Sequence, residues 1–165
     1  MRYFDMRYFV FVVALVLVVT VSAAAAPNAS STSIDFELIQ HGVEVYNASM
    51  ENAPDMVRSL LGDEKIEINI IRMNGTILAA GLYMENALVV KTVEGEMDSP
   101  TIVIEGTEDA ITRILGAEDP VKVFQQARND GEISITGKTF KAKFKIAAAL
   151  SSTTLLEFLA DVVTR

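Results

Sequence analysis

An uncharged run from Tyr8 to Ala26, apolar at its centre from Phe9 to Val19, constrains this chain more than any other feature. Arg2 and Arg7 precede the run, and Ser22-Ala23-Ala24-Ala25-Ala26-Pro27 closes it with small residues. A basic start, an apolar stretch and a small-residue exit are the parts of a signal peptide, with cleavage near Ala24–Ala26. The run also reaches the roughly 18–20 residues that cross a bilayer, so an uncleaved anchor fits as well. Basic residues ahead of the apolar stretch place the rest of the chain outside the cytoplasm under either reading. Residues 1–26 are thus read as signal peptide or membrane anchor, 27–33 as a polar linker, and 34–165 as one exported domain.

That domain must hold together by packing alone. The chain has no cysteine, which excludes disulfides, thiolate chemistry and Cys-ligated metal. Its formal net charge is -8, and removing Arg2, Arg7 and Asp5 with the first 26 residues leaves -9. A surface this acidic repels a phosphate backbone, so nucleic acid is excluded as a partner.

Periodicity supplies the elements. Phe36, Ile39, Val43, Tyr46 and Met50 recur at spacings of three and four, predicting a helix over about 35–48. A short helix after Pro54 ends at Gly62. From Glu64 the period becomes two, with Ile66, Ile68 and Ile70 on one face, and Asn74-Gly75 marks a hairpin. A two-residue turn there pairs Ile70 with Ala79, Ile68 with Gly81 and Ile66 with Tyr83. Strands over 76–84, 87–93 and 101–105 extend this into a four-stranded antiparallel meander. Thr107 and Asp119-Pro120 start two further helices, the first along Ile111, Ile114 and Leu115, the second with Val121, Phe124 and Ala127 inward. Beyond Gly131, a Gly137-Lys138 turn sets Ile135 opposite Phe140 and Ile133 opposite Ala142 in a last hairpin. The closing helix starts at the capping box Thr154 to Glu157 and is apolar over most of its circumference.

Chemistry-bearing residues are sparse. His41 is the only histidine and lacks a metal-binding companion. The acidic pairs Glu108/Asp109 and Glu118/Asp119 sit where helices begin, and helix starts account for them. No glycine pattern forms a nucleotide cradle, and no nucleophile elbow follows Ser151-Ser152. The sequence therefore predicts no catalytic residue, no metal and no cofactor. Asn28, Asn47 and Asn74 fit the N-x-[ST] acceptor pattern, although Asn74-Gly75 also reads simply as a turn. Lys138, Lys141, Lys143 and Lys145 form the one basic concentration, read as a solvated strand face or as a strip that meets a membrane surface. The closing helix is either buried in the core or a wall over an apolar cavity.

The run Thr101 to Leu115, then Asp119-Pro120-Val121-Lys122-Val123-Phe124, then Asn129 to Gly137 resembles the sterol carrier protein 2 family. The resemblance covers about 35–165 as architecture and about 101–137 as sequence. It implies an α+β fold, with a mixed or antiparallel sheet of five or six strands covered by helices that enclose an apolar tunnel. It also implies a non-catalytic carrier of a lipid or other hydrophobic ligand, without a cofactor. Phe124, Phe140, Phe144, Leu155, Phe158 and Leu159 are the expected lining. The competing expectation is an exported interaction module with a filled core.

Overall fold

A computed structural model describes residues 34–55, 58–59 and 62–149. The elements run α1 (Phe36–Met50), β1 (Lys65–Ile71), β2 (Ile77–Glu85), β3 (Leu88–Glu94), β4 (Ile102–Thr107), α2 (Glu108–Leu115), α3 (Pro120–Asn129), β5 (Ile133–Gly137) and α4 (Phe140–Ala149). The five strands form one mixed sheet in the order β3-β2-β1-β4-β5. The fold is α+β, as the sequence predicts.

One face of the sheet makes the core. Ile66, Ile68 and Ile70 of β1, Leu78, Ala80, Leu82 and Met84 of β2, Ile102 and Ile104 of β4 and Ile133 of β5 are all buried. Ile39, Val43, Tyr46 and Met50 of α1, Ile111 and Ile114 of α2, and Phe124 and Ala127 of α3 complete the same cluster. Side-chain oxygens set the helix starts. Asp35 accepts from the Leu38 amide at α1, Thr107 from Ala110 at α2, and Asp119 from Lys122 at α3. The opposite face is more polar, with the Lys65 and Lys91 ammonium groups 5.8 and 5.2 Å from the centre of the Tyr83 ring.

The β1–β2 register differs by one residue from the sequence reading: Ile70 faces Leu78, Ile68 faces Ala80 and Ile66 faces Leu82. The cause is the turn. The Arg72 amide donates to the Thr76 carbonyl at 2.8 Å, the Gly75 amide donates to the Arg72 carbonyl at 2.9 Å, and Gly75 has φ +81°. The loop is thus three residues, Met73 to Gly75, with glycine in the left-handed position, and not a two-residue turn. A one-residue slip changes which residues of a strand point inward.

The meander also ends earlier than expected. β4 pairs with β1 in parallel, Ile66 beside Ile102 and Ile68 beside Ile104, and not with β3. The segment 95–101, extended, reaches about 24 Å, enough to cross over β2 and β1 to the start of β4 without a helix. It crosses the polar face, where Met97 packs over Gly81 and the Met97 amide donates to Glu67 at 3.0 Å.

The third correction concerns residues 138–146, which form a bend at Lys138-Thr139 and then α4 from Phe140, not the second arm of a hairpin. Thr139 caps this helix, accepting from the Ala142 amide on its hydroxyl at 3.0 Å and from the Lys143 amide on its carbonyl at 2.9 Å. Residues two apart share a face on a strand but lie on nearly opposite sides of a helix. The alternation of apolar residues therefore splits: Ala142 is buried and Ile146 packs on the core, while Phe140 and Phe144 turn outward. Gly137 permits the tight return, since a methyl group there would come within 2.8 Å of the Lys143 amide nitrogen.

Candidate functional site

α4 carries the candidate site, because it is docked on one side and exposes two phenyl rings on the other. Phe140 is 89% exposed and Phe144 is 68% exposed. Four residues apart, they lie on one side of the helix, where side chains are neighbours. Two phenyl rings held side by side in water make an apolar surface that gains by meeting another.

Beneath α4, Lys145 reaches past its own helix to the beginning of β1. Its Nζ lies 2.8 Å from Glu64 Oε1, and Glu64 is almost wholly buried. The other carboxylate oxygen, Oε2, accepts from the Thr101 hydroxyl at 2.5 Å. Thr101 Oγ1 also accepts from the Lys65 amide at 3.0 Å, joining the starts of β1 and β4. Gly62, at φ +52°, leaves room for the lysine; a methyl group there would meet Nζ at 2.6 Å. This buried ionic cluster fixes the rotation of α4, and with it the direction in which Phe140 and Phe144 face. An open depression of about 590 Å³ lies beside it, lined by Asp63, Glu64, Lys65, Tyr83, Glu85 and Thr101 among others. Most of its lining residues carry charged or polar side chains, but apolar atoms make up the larger part of its surface, so the depression by itself favours neither a polar nor an apolar ligand.

The expected lining residues separate. Phe124 lies in the core at 1% exposure, whereas Phe140 and Phe144 face outward. Leu155, Phe158 and Leu159 lie outside the described residues. The lysines do not form a strip: Lys141 and Lys143 are exposed on different sides of α4, and Lys145 is engaged with Glu64. The ionic cluster escaped the sequence reading because its partners are 81 positions apart. The available signal was Glu64, a carboxylate at the start of a strand whose next core positions are all isoleucine.

The remaining polar candidates have structural partners. His41 lies 3.6 Å from Glu44 on the exposed side of α1. Glu108 accepts from the amides of Ile34 and Met73, at 3.2 and 3.1 Å. Asp109 pairs with Arg113 at 3.0 Å. Asn47 donates to the Val89 carbonyl and accepts from the Val89 amide, both at 2.9 Å, so its side-chain amide is engaged by β3. Asn74 sits exposed at the hairpin tip and accepts from the Thr76 amide and hydroxyl. The Tyr46 hydroxyl donates to the Ala87 carbonyl at 2.7 Å, and burial keeps that phenol protonated to higher pH than usual. Among the described residues, no group of three or more His, Asp or Glu side chains is placed to hold a metal ion.

This sheet order and helix placement have counterparts among solved structures. The chain is similar to sterol carrier protein 2 domains. One is the sterol carrier protein domain 2 of Helicoverpa armigera, with 14% identity and a TM-score of 0.47, covering 86% of this chain and 96% of that one. Another is sterol carrier protein 2 like 2 from Aedes aegypti, with 16% identity and a TM-score of 0.40, covering 64% and 96%. A ubiquinone synthesis protein with such a domain matches at 12% identity and a TM-score of 0.47, covering 74% and 94%. No protein-family pattern matches the chain, and no curated protein is similar to it. At these identities and TM-scores the likeness is one of outline, and the function has to be argued from this chain's own surfaces.

Proposed function

We propose that this chain is an exported, non-catalytic protein that binds a hydrophobic ligand of acyl, isoprenoid or sterol-like type. The observation that carries the reading is the outward pair Phe140 and Phe144 on a helix whose opposite side is locked down by Ala142, Ile146 and the Glu64–Lys145 ion pair. Affinity comes from apolar area removed from water, at about 25 cal/mol per Å². Leu155, Phe158 and Leu159 of the apolar closing sequence remain the other residues expected to contact the ligand. Export rests on the basic-apolar-small pattern of residues 1–26.

The test is native mass spectrometry of the full chain together with displacement of a fluorescent fatty acid. A bound apolar molecule, lost from a Phe140→Ser/Phe144→Ser variant, supports the proposal. Absence of any apolar ligand from the unaltered chain overturns it.

One observation favours a second reading, the interaction module. Tyr46, Phe124, Ile39, Leu82 and Ile133 are each less than 2% exposed and belong to one continuous core. On this reading the interior between the helices and the sheet is filled, and the phenyl pair meets another exported protein instead. The same Ser variant would then leave lipid displacement unchanged and lose a protein partner.

A further inference from the structure

A second apolar surface lies at the other end of the sheet. Ile71 and Ile77 face each other across the β1–β2 hairpin and are 45% and 63% exposed; Met73, in the loop between them, is 77% exposed. None of the three belongs to the core. The segment 71–77, Ile-Arg-Met-Asn-Gly-Thr-Ile, contains no carboxylate, although the domain as a whole is strongly acidic. The carboxylate it does meet, that of Glu108, is held at its root by the Met73 amide.

The position of this tip gives it an occupant. Glu108 receives the Met73 amide on one oxygen and the Ile34 amide on the other. Arg72 Nη2 donates to the Ile34 carbonyl at 3.3 Å. The hairpin tip is therefore bonded, through Arg72 and Glu108, to the residue at which the N-terminal part of the chain joins the domain. Residues 27–33 separate Ile34 from the apolar run and span at most about 25 Å when extended. A run held in a bilayer would keep this end of the sheet within that distance of the lipid surface.

We propose that the tip of the β1–β2 hairpin is a membrane-contact surface, with Ile71, Met73 and Ile77 resting in the interfacial layer of the bilayer that holds the chain's own N-terminal segment. Apolar side chains without carboxylates are what an acidic domain must present to approach lipid without repulsion. The surface orients the domain, leaving Lys138, α4 and the phenyl pair at the far end of the sheet. This goes beyond the ligand-binding proposal and shares with it only the export of the domain.

The chain has no tryptophan, so a single introduced one reports its own surroundings. The experiment places Met73→Trp and, separately, Lys138→Trp in the full chain, reconstituted into phosphatidylcholine vesicles with brominated acyl chains. Both positions are exposed, and circular dichroism verifies that each variant folds. The expected result is a blue-shifted emission that loses intensity on brominated lipid at position 73, with water-like, unquenched emission at 138. Water-like emission at 73, or equal quenching at both positions, overturns the proposal. Ligand displacement is measured on the same samples and reports independently on the ligand-binding proposal.

Discussion

Lys145 Nζ meets Glu64 Oε1 at 2.8 Å in the interior between α4 and the start of β1, where the side chains are only 17% and 6% exposed. Each charge depends on the other, because removing one leaves an uncompensated ion out of water. Lys145→Met should therefore destabilise the fold by about 3–5 kcal/mol, whereas a combined Glu64→Gln/Lys145→Met change should recover most of the loss. Urea unfolding of the three proteins checks this. A double variant no more stable than the single one would mean that the pair is not coupled.

Tyr46 gives the fold an alkaline limit. Burial raises its phenol above the usual value of 10.0. The unfolded chain releases that proton from about pH 10 upward while the folded chain retains it. Stability is thus fully present below that pH and falls as the pH climbs toward the raised folded value. Tyr46→Phe should remove this slope and cost about 1–2 kcal/mol at neutral pH, through the Ala87 carbonyl left unpaired. Thermal unfolding of both proteins between pH 7 and 11 measures the two effects separately.

Gly137 and Gly75 should respond differently to alanine. At Gly137 a methyl group strikes the backbone of α4, which cannot yield without lifting the helix. At Gly75 nothing lies within 4 Å, and only the positive φ resists. Gly75→Ala should cost about 1 kcal/mol, and Gly137→Ala about 1–3 kcal/mol. Only the Gly137 variant should also weaken binding of an apolar probe, because the helix that carries Phe140 and Phe144 is displaced. Equal effects on the probe would separate α4 from ligand binding.

Phe140→Ser/Phe144→Ser should leave the unfolding free energy within about 0.5 kcal/mol of the parent, since exposed side chains contribute little to the core. A larger loss, measured by urea titration, would place these rings in the folding core and remove them from the candidate site.

α1, α2 and α3 were legible because their starts carry chemistry. Asp35, Thr107 and Asp119 act as the caps that their residue types predict. The sheet was less so. Asn74-Gly75 locates a turn but does not tell a two-residue loop from a three-residue one. The strand itself held the answer, because Leu78, Ala80, Leu82 and Met84 make a more apolar face than Ala79, Gly81 and Tyr83. At 138–146 the alternation of Phe, Ala and Ile with Lys imitated a strand. Thr139 as a cap and the spacing of four between Ala142 and Ile146 pointed to a helix, which lysine and alanine also favour. The parallel pairing of β1 with β4 had no local signal at all. It depends on Met97 crossing the sheet above Gly81, a contact between residues that neither hydropathy nor turn chemistry connects.

The side chain of Asn47 also guards the sheet. By bonding to both backbone groups of Val89, it occupies a position at the margin that a strand from a second molecule would otherwise take. A chain without disulfides is exposed to such strand addition whenever its outer ribbon is left open. One carboxamide from α1 thus closes that stretch of β3 to a further strand.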